Sequence, residues 1–524
     1  MNQWLAGRHG GLRAGIAIMS GVVTALGFQP FNLWGLVPLG VAGLSTSVRS
    51  ARRVRGAAGL GLGYGLGFLL VGIGWMQVIF VEAMSGLVGV EALFYAGLGA
   101  LIAVASRTRW WPLLAAGAWT ATEFTFTRFP FNGFGWMRIG YAMVDSPLAW
   151  MLPLVGVAGL GFATALVGQG LAWLASAPSR GRAALAAGTA VGVALLAGAG
   201  ALIPVGTQIG STTVGWVQGG APGGGVYGIG SPGTTTRNHL AETDRLQRRI
   251  DAGELPQPDF VVLPENTTDA DPFTDTETGQ LVAAMSARLG VPMLFGVIMD
   301  GPGADERQTV SLWWEPGRGE VARYTKRGIV PFGEWVPLRS LLLPLIPPLR
   351  FVGPQSIAGT APGAIPVTLP DGRALTIGVM ICYDLVYDEF AYDTVRHGAQ
   401  VVLVQSSNAM FLGTGQIQQQ FAITRARALE LRREILVVTT SGVSGLINAD
   451  GSVAFTAPDH VGASGVVELP QRSGLTPATW LASWLELAIT VMAGVGLGVS
   501  LGWGRMGHQG PRSGEPHDRL GSDA

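Results

Sequence analysis

Four side chains in this sequence are of types that make and break acyl bonds, and each sits where an apolar run gives way to polar residues. Cys382, the single cysteine of 524 residues, closes the run Ile377-Gly-Val-Met-Ile-Cys382-Tyr-Asp-Leu. Glu265 follows Phe260-Val-Val-Leu-Pro, and Lys326 lies in Tyr324-Thr-Lys-Arg-Gly-Ile-Val-Pro-Phe-Gly-Glu334-Trp-Val-Pro, which adds a second carboxylate. Each residue alone has a plainer use. A free cysteine is among the most buried residue types and usually inert; Glu265 fits a helix N-terminal charge, Lys326 a solvated loop cation and Glu334 a turn residue. As a set they supply a reaction. A thiol becomes a nucleophile when a base removes its proton, a carboxylate in a partly dry pocket has its pKa raised enough to be that base, and an ammonium stabilises the oxyanion that follows.

Side chains at the ends of core strands are held rigidly, and the sequence offers such strands. Val214-Gly-Trp-Val-Gln218, Phe260 to Leu263, Pro292 to Val297, Leu375 to Val379, Val401 to Val404 and Ile435 to Thr439 are short apolar runs bounded by turn residues. Helix-period segments, Gln280 to Leu289 and Gln416 to Arg433, alternate with them, which predicts a layered α/β domain. One cysteine excludes an internal disulfide and a cysteine-cluster metal site. The six histidines (9, 239, 397, 460, 508 and 517) have no ligand spacing, so neither a metal nor a cofactor is expected.

The rest of the chain is a membrane sequence. Hydrophobic residues make up 48% and charged residues 13%, with a mean hydropathy of +0.38. The 34 basic residues balance the 34 acidic ones, which argues against a nucleic acid partner. Seven apolar stretches near bilayer-spanning length lie at 12–28, 32–48, 57–80, 84–106, 110–126, 147–177 and 183–204, and another runs from Pro477 to about Leu501. Arginines mark every second connection: Arg8 and Arg13, then Arg49, Arg52, Arg53 and Arg55, then Arg107 and Arg109, then Arg180 and Arg182. Basic loops stay in the cytoplasm. The expected organisation is therefore a membrane domain over 1–207, an extracytoplasmic α/β domain over 208–472, a last transmembrane helix over 473–503 and a polar cytoplasmic tail over 504–524, with both termini inside. Glu123, at the outer end of the fifth span, is a functional candidate as an intramembrane carboxylate, and its plainer use is to pair with Arg128 or hydrogen-bond within the bundle. For Leu341-Leu-Leu-Pro-Leu-Ile-Pro-Pro-Leu349, too short and broken to span, two readings stand: an apolar arm at the bilayer surface, or an ordinary buried loop.

Glu, Lys and Cys in that order at strand ends resemble the nitrilase superfamily of carbon-nitrogen hydrolases, which implies an αββα sandwich. Set between seven upstream spans and one downstream span, the arrangement is similar to the apolipoprotein N-acyltransferases of bacterial lipoprotein maturation. Val330-Pro-Phe-Gly-Glu334-Trp-Val-Pro, Cys382-Tyr383-Asp384 and Arg425-Ala-Arg-Ala-Leu-Glu430 with Thr440-Ser-Gly-Val carry this likeness most specifically. Val217-Gln-Gly, Thr122-Glu123 and Gly133 to Gly140 add to it. The resemblance implies an enzyme of the bacterial cell membrane that moves a fatty acyl chain from a phospholipid, through a cysteine thioester, to the amine of a diacylglyceryl-cysteine apolipoprotein. Cys382 would be the nucleophile, Glu265 the base, Lys326 the oxyanion stabiliser and Glu334 an auxiliary residue, with Tyr383, Asp384, Trp335, Met410 and Tyr227 as substrate contacts. Asp384 stands where the family often has Glu, and Met410 where many members have Trp. The alternative is a membrane-tethered amidase or nitrilase, in which water attacks the thioester; a scaffold that has lost activity would not need Glu265, Lys326 and Cys382 together.

Overall fold

Long apolar runs with glycine and alanine throughout satisfy their backbone groups internally by forming helices, and the computed structural model has seven of them before the α/β domain: α1 (Asn2–Ala25), α2 (Leu36–Arg49), α3 (Val54–Gly72), α4 (Val81–Ala105), α5 (Trp111–Phe126), α6 (Leu152–Ser176) and α7 (Arg180–Ala201). The structure describes residues 2–51, 53–176, 179–225, 227–228, 230–459 and 461–506; Arg52, His460, the tail from 507 onward and the side chains of 2–9 and 502–506 lie outside the described residues. Among the described residues, five helices are long and apolar enough to cross a membrane: Val54–Gly72, Val81–Ala105, Pro147–Ser176, Arg180–Ala201 and Ala478–Leu501. With 14 and 16 residues, α2 and α5 rise only about 21 and 24 Å, short of the roughly 30 Å hydrocarbon core. Leu185 and Leu195 of α7, and Trp484, Met492 and Val495 near the C-terminus, present bare apolar surface outward, as lipid-facing residues do.

One glycine sets how the bundle meets the rest of the chain. Gly156, at φ +67°, breaks the first turns of α6, and a Cβ there would lie 2.6 Å from Ala482, 2.8 Å from the Tyr392 hydroxyl and 3.0 Å from Glu430. The break frees the Val157 N–H from the helix ladder, and it donates to Glu430 instead (3.1 Å).

The α/β domain follows as β1 (Thr207–Gln218), α8 (Thr234–Asp251), β2 (Phe260–Val262), α9 (Thr276–Leu289), β3 (Met293–Asp300), β4 (Glu306–Glu315), β5 (Gly319–Thr325), α10 (Arg339–Leu345), β6 (Gln355–Ser356), β7 (Ala364–Thr368), β8 (Ala374–Ile381), α11 (Asp388–Arg396), β9 (Val401–Ser406), α12 (Gln416–Leu431), β10 (Ile435–Thr439), β11 (Gly445–Ile447), β12 (Val453–Thr456) and β13 (Ala463–Ser473), before α13 (Ala478–Met506). The strands form two sheets. One runs β13-β1-β2-β3-β4-β5, with β6 beside β4, and the other β12-β11-β10-β9-β8-β7. In each the central strands are parallel (β1-β2-β3 and β8-β9-β10) and the margins antiparallel, apart from the short β6, which runs parallel to β4. The inner faces pack on each other through Phe260, Val262, Leu294 and Trp313 against Ile377, Val379, Leu403 and Val438. Helices α8 and α9 cover one outer face, with Leu246, Val282 and Met285 on Phe295 and Val310. This is the αββα sandwich of the nitrilase superfamily. The other outer face bears α11 and α12, whose core is continuous with that of the membrane helices, so α12 is buried on nearly every side.

Candidate active site

Parallel strands end on the same edge of a sheet, and loops leaving that edge converge. Strand β2 delivers Glu265 and β8 delivers Cys382, while Lys326 follows β5, its own N–H tied to the Thr309 carbonyl (2.9 Å). The Lys326 ammonium, 1% exposed, donates to Glu265 Oε1 at 2.9 Å and to Glu334 Oε1 at 2.8 Å. The second oxygen of Glu265 accepts from the Ser407 N–H (2.9 Å), and that of Glu334 from the Val330 N–H (2.8 Å). Of the lysine's three donors, two are thus assigned and one remains. Cys382 opens a 3-10 turn at φ +49°, a left-handed conformation that a side-chain-bearing residue adopts only when its surroundings impose it. Its Sγ lies 3.6 Å from Gln420 Nε2.

Burial and charge set the protonation of this cluster. Burial, reinforced by the Glu265 charge, pushes the Cys382 thiol up, so the resting sulfur holds its proton. Burial likewise raises Glu265, against the opposing pull of Lys326. Lys326 is driven down by burial but carried well above its ordinary value by its two carboxylates, so it stays charged. A buried carboxylate held above its usual range and a protonated thiol in one pocket are the kind of pair that proton transfer concerted with attack requires.

The remaining expected contacts divide in two. Asp384 and Tyr383 face the protein frame. Asp384 is fully buried and accepts from Ile381 N–H (2.9 Å), Gly328 N–H (2.6 Å) and the Tyr324 hydroxyl (2.9 Å), fastening the cysteine turn to the loop that carries Lys326. One methylene less than glutamate suits that short reach. Tyr383 stacks on Trp136 (6.3 Å between ring centres) and Phe134 (6.1 Å), and so seats the turn on the membrane bundle. Trp335, Met410 and Tyr227 are on partly open surface. Trp335 packs edge-on to Phe131 (6.1 Å), Met410 sits in a 3-10 turn whose carbonyl accepts from Gly225, and Tyr227, 79% exposed, meets Phe351 edge-on (6.2 Å). Phe351 also stacks on Phe80 at the start of α4 (5.7 Å). The segment around α10 is not an ordinary buried loop: no residue of α10 is buried, Leu341, Leu345 and Phe351 are bare, and a small core of Val336, Leu349 and Val352 holds the unit together.

Two polar clusters near the site were not read from the sequence. On α12, Gln419 accepts from Trp75 (3.0 Å) and Trp136 (2.8 Å) and donates to the carbonyls of Gln29 (2.9 Å) and Gly72 (2.8 Å), while Gln420 turns to the sulfur. Beneath them, Arg427 pairs with Glu430 and with Asp388 (2.6 Å), and Arg138 joins Asp388 (2.8 Å) to Glu486 of α13 (3.1 Å). Of the two plain readings of Glu123, the hydrogen bonds within the bundle are the ones found. The carboxylate accepts from Trp119 (3.2 Å) and Ile139 N–H (2.9 Å) and faces Arg138 at 3.9 Å, whereas Arg128 pairs with Glu486 (2.7 Å). A carboxylate inside the apolar run of α13 was the available signal for Glu486.

Compared with known proteins, residues 20–170 match the apolipoprotein N-acyltransferase N-terminal domain and residues 252–468 the carbon-nitrogen hydrolase domain. An apolipoprotein N-acyltransferase of Mycolicibacterium smegmatis is 30% identical over 516 residues, covering 91% of this chain and 83% of that protein. The chain belongs to the apolipoprotein N-acyltransferase family. Other members similar to it come from Methylococcus capsulatus (28% identical, covering 92% of this chain and 94% of that protein) and Haemophilus influenzae (24%, covering 91% and 92%). Membership makes the chain an acyltransferase-type membrane enzyme with a nitrilase-superfamily domain, and it covers bundle and sandwich alike.

Proposed function

We propose that this protein transfers a fatty acyl chain from a membrane phospholipid to the α-amine of a diacylglyceryl-cysteine apolipoprotein, through a thioester on Cys382. The observation that carries the reading is the Lys326 ammonium held between Glu265 and Glu334, near the thiol, in a domain whose α11–α12 layer shares its core with a membrane bundle.

In the first half-reaction Cys382 Sγ attacks the phospholipid ester carbonyl as Glu265 takes the thiol proton. The third N–H of Lys326 meets the oxygen that becomes negative, and Glu334 keeps the ammonium in place. The ester C–O bond breaks, the proton passes from Glu265 to the departing oxygen, and a lysophospholipid leaves. In the second, the acceptor amine adds to the thioester carbonyl, Glu265 takes its proton, and the C–S bond breaks to release amide and thiol. Trp335, Met410 and Tyr227, on the open side, would contact lipid, as would the bare residues of the α10 arm. A site docked on the bilayer spares the acyl chain a transfer through water, which costs about 0.8 kcal/mol per CH₂.

The arginine distribution supports an orientation with both termini in the cytoplasm and residues 208–472 outside, the bundle being 1–207 and the last span 473–503. Intact-protein mass spectrometry after incubation with phospholipid tests the reaction. A fatty-acyl increment, absent in Cys382→Ala and discharged by a diacylglyceryl-cysteine peptide, is the expected result; an adduct discharged equally fast by water would favour a hydrolase.

A further inference from the structure

We propose that Gln420 is a further catalytic residue, donating a hydrogen bond to the Cys382 sulfur whenever that sulfur carries charge. This rests on the reading of Cys382 as the nucleophile. Gln420 is 3% exposed, and its Nε2 lies 3.6 Å from Sγ and 2.9 Å from Ser406 Oγ. Its carbonyl oxygen accepts from Gln416 Nε2 (3.3 Å), which also reaches Asn408 Oδ1 (3.4 Å). With the oxygen occupied by a donor, the amide can turn only its NH₂ toward the sulfur, and the two hydrogens serve the two acceptors, Ser406 and Cys382. Among the described residues, Gln420 makes the one side-chain hydrogen bond to Sγ.

The charge count explains why such a donor matters. Glu265 and Glu334 against Lys326 leave the pocket with one carboxylate in excess, and burial first, then the Glu265 charge, opposes a thiolate there. A neutral thiol is a weak acceptor and a thiolate a strong one, so the amide contributes mostly to the charged form. When the acceptor amine has added to the thioester and lost its proton to Glu265, the C–S bond breaks and its electron pair leaves on Sγ. Gln420 donates to that thiolate until Glu265 returns the proton. Neighbouring Gln419, with all four of its bonds to Trp75, Trp136, Gln29 and Gly72, holds this turn of α12 against the bundle, so the amide cannot swing away.

Because the chain has one cysteine, alkylation of the full-length protein by iodoacetamide in detergent reports on Cys382 alone. The experiment follows the alkylation rate against pH for wild type, Gln420→Leu and Gln420→Glu, together with discharge of the acyl adduct by a diacylglyceryl-cysteine peptide. Loss of a hydrogen bond to a charged group should raise the alkylation midpoint by about one pH unit in Gln420→Leu and slow discharge about tenfold. Gln420→Glu, which keeps the shape and puts a second acceptor on the sulfur, should raise the midpoint further, and it decides the matter should the leucine variant fail to fold. Midpoints that coincide with wild type, even with slower discharge, would reduce Gln420 to a packing role; a raised midpoint with discharge unchanged would remove it from catalysis. Acyl transfer surviving in Cys382→Ala would instead sink the nucleophile reading while leaving the titration shift standing.

Discussion

Replacing Lys326 by methionine keeps the length of the stem and deletes the charge that two carboxylates share. Lys326 is 1% exposed, the Glu265 side chain 5% and that of Glu334 17%, so neither glutamate regains full hydration. Removing one partner of a buried pair costs about 3–5 kcal/mol, and the partial exposure of Glu334 argues for the lower end, about 3 kcal/mol. For a domain of this size that lowers the melting midpoint by about 6–12 °C. The deficit should depend on pH in a definite direction. Burial already holds Glu265 above its ordinary value, and losing the ammonium that pulls it down raises it further. A carboxyl whose folded pKa lies above its unfolded one binds its proton more tightly when folded, so stability rises as pH falls through the folded value. The gap between Lys326→Met and wild type should therefore be widest at neutral pH and shrink on acidification through the raised Glu265 value. Thermal unfolding in detergent across that range reads it, with mass spectrometry showing no acyl adduct. A variant as stable as wild type at neutral pH, or a gap that widens on acidification, would refute the buried ion-pair account.

Three further outcomes follow from the same geometry. Acyl-adduct formation in the wild type should fall as acid protonates Glu265, with its midpoint above the ordinary carboxylate range; a rate unchanged down to about pH 4 would show that another group is the base. Asp388→Asn strips the carboxylate shared by Arg138 and Arg427 and should cost about 3 kcal/mol. The exposed Arg373→Ala should leave the melting midpoint unchanged, and equal midpoints for the two variants would contradict the burial argument. Serine at Leu341, Leu345 and Phe351 should slow adduct formation from phospholipid vesicles severalfold while iodoacetamide labels Cys382 at the wild-type rate; unchanged adduct formation would mean the α10 arm has no part in lipid access.

The legible parts of the fold were those with continuous apolar runs. The central parallel strands β2, β3, β8, β9 and β10 are buried on both faces and stand out, and so do the helices of the bundle. Strands β4, β5 and β13 did not, because Glu306–Glu315, Gly319–Thr325 and Ala463–Ser473 mix charge and small residues along antiparallel margins that are only partly covered. Span three ended early: α3 stops at Gly72 and the chain continues as a 3-10 turn over Gly74–Val78. Glu265, Lys326 and Cys382 were readable because each follows a strand, and Glu334 because it shares a distinctive local string with Lys326. Gln419, Gln420, Arg138, Asp388 and Glu486 were not, since their partners lie far along the chain and nothing local marks a glutamine on a helix as pointing at a sulfur.

Glu486 is among the last residues of the described chain to leave the ribosome, and it completes a charge cluster whose other members, Arg128, Arg138 and Asp388, were made much earlier. Until α13 is inserted, Arg138 has lost one of its carboxylates and the floor beneath the cysteine turn is unfinished. A chain without this helix carries every reactive group and lacks the carboxylate that pairs with both Arg128 and Arg138.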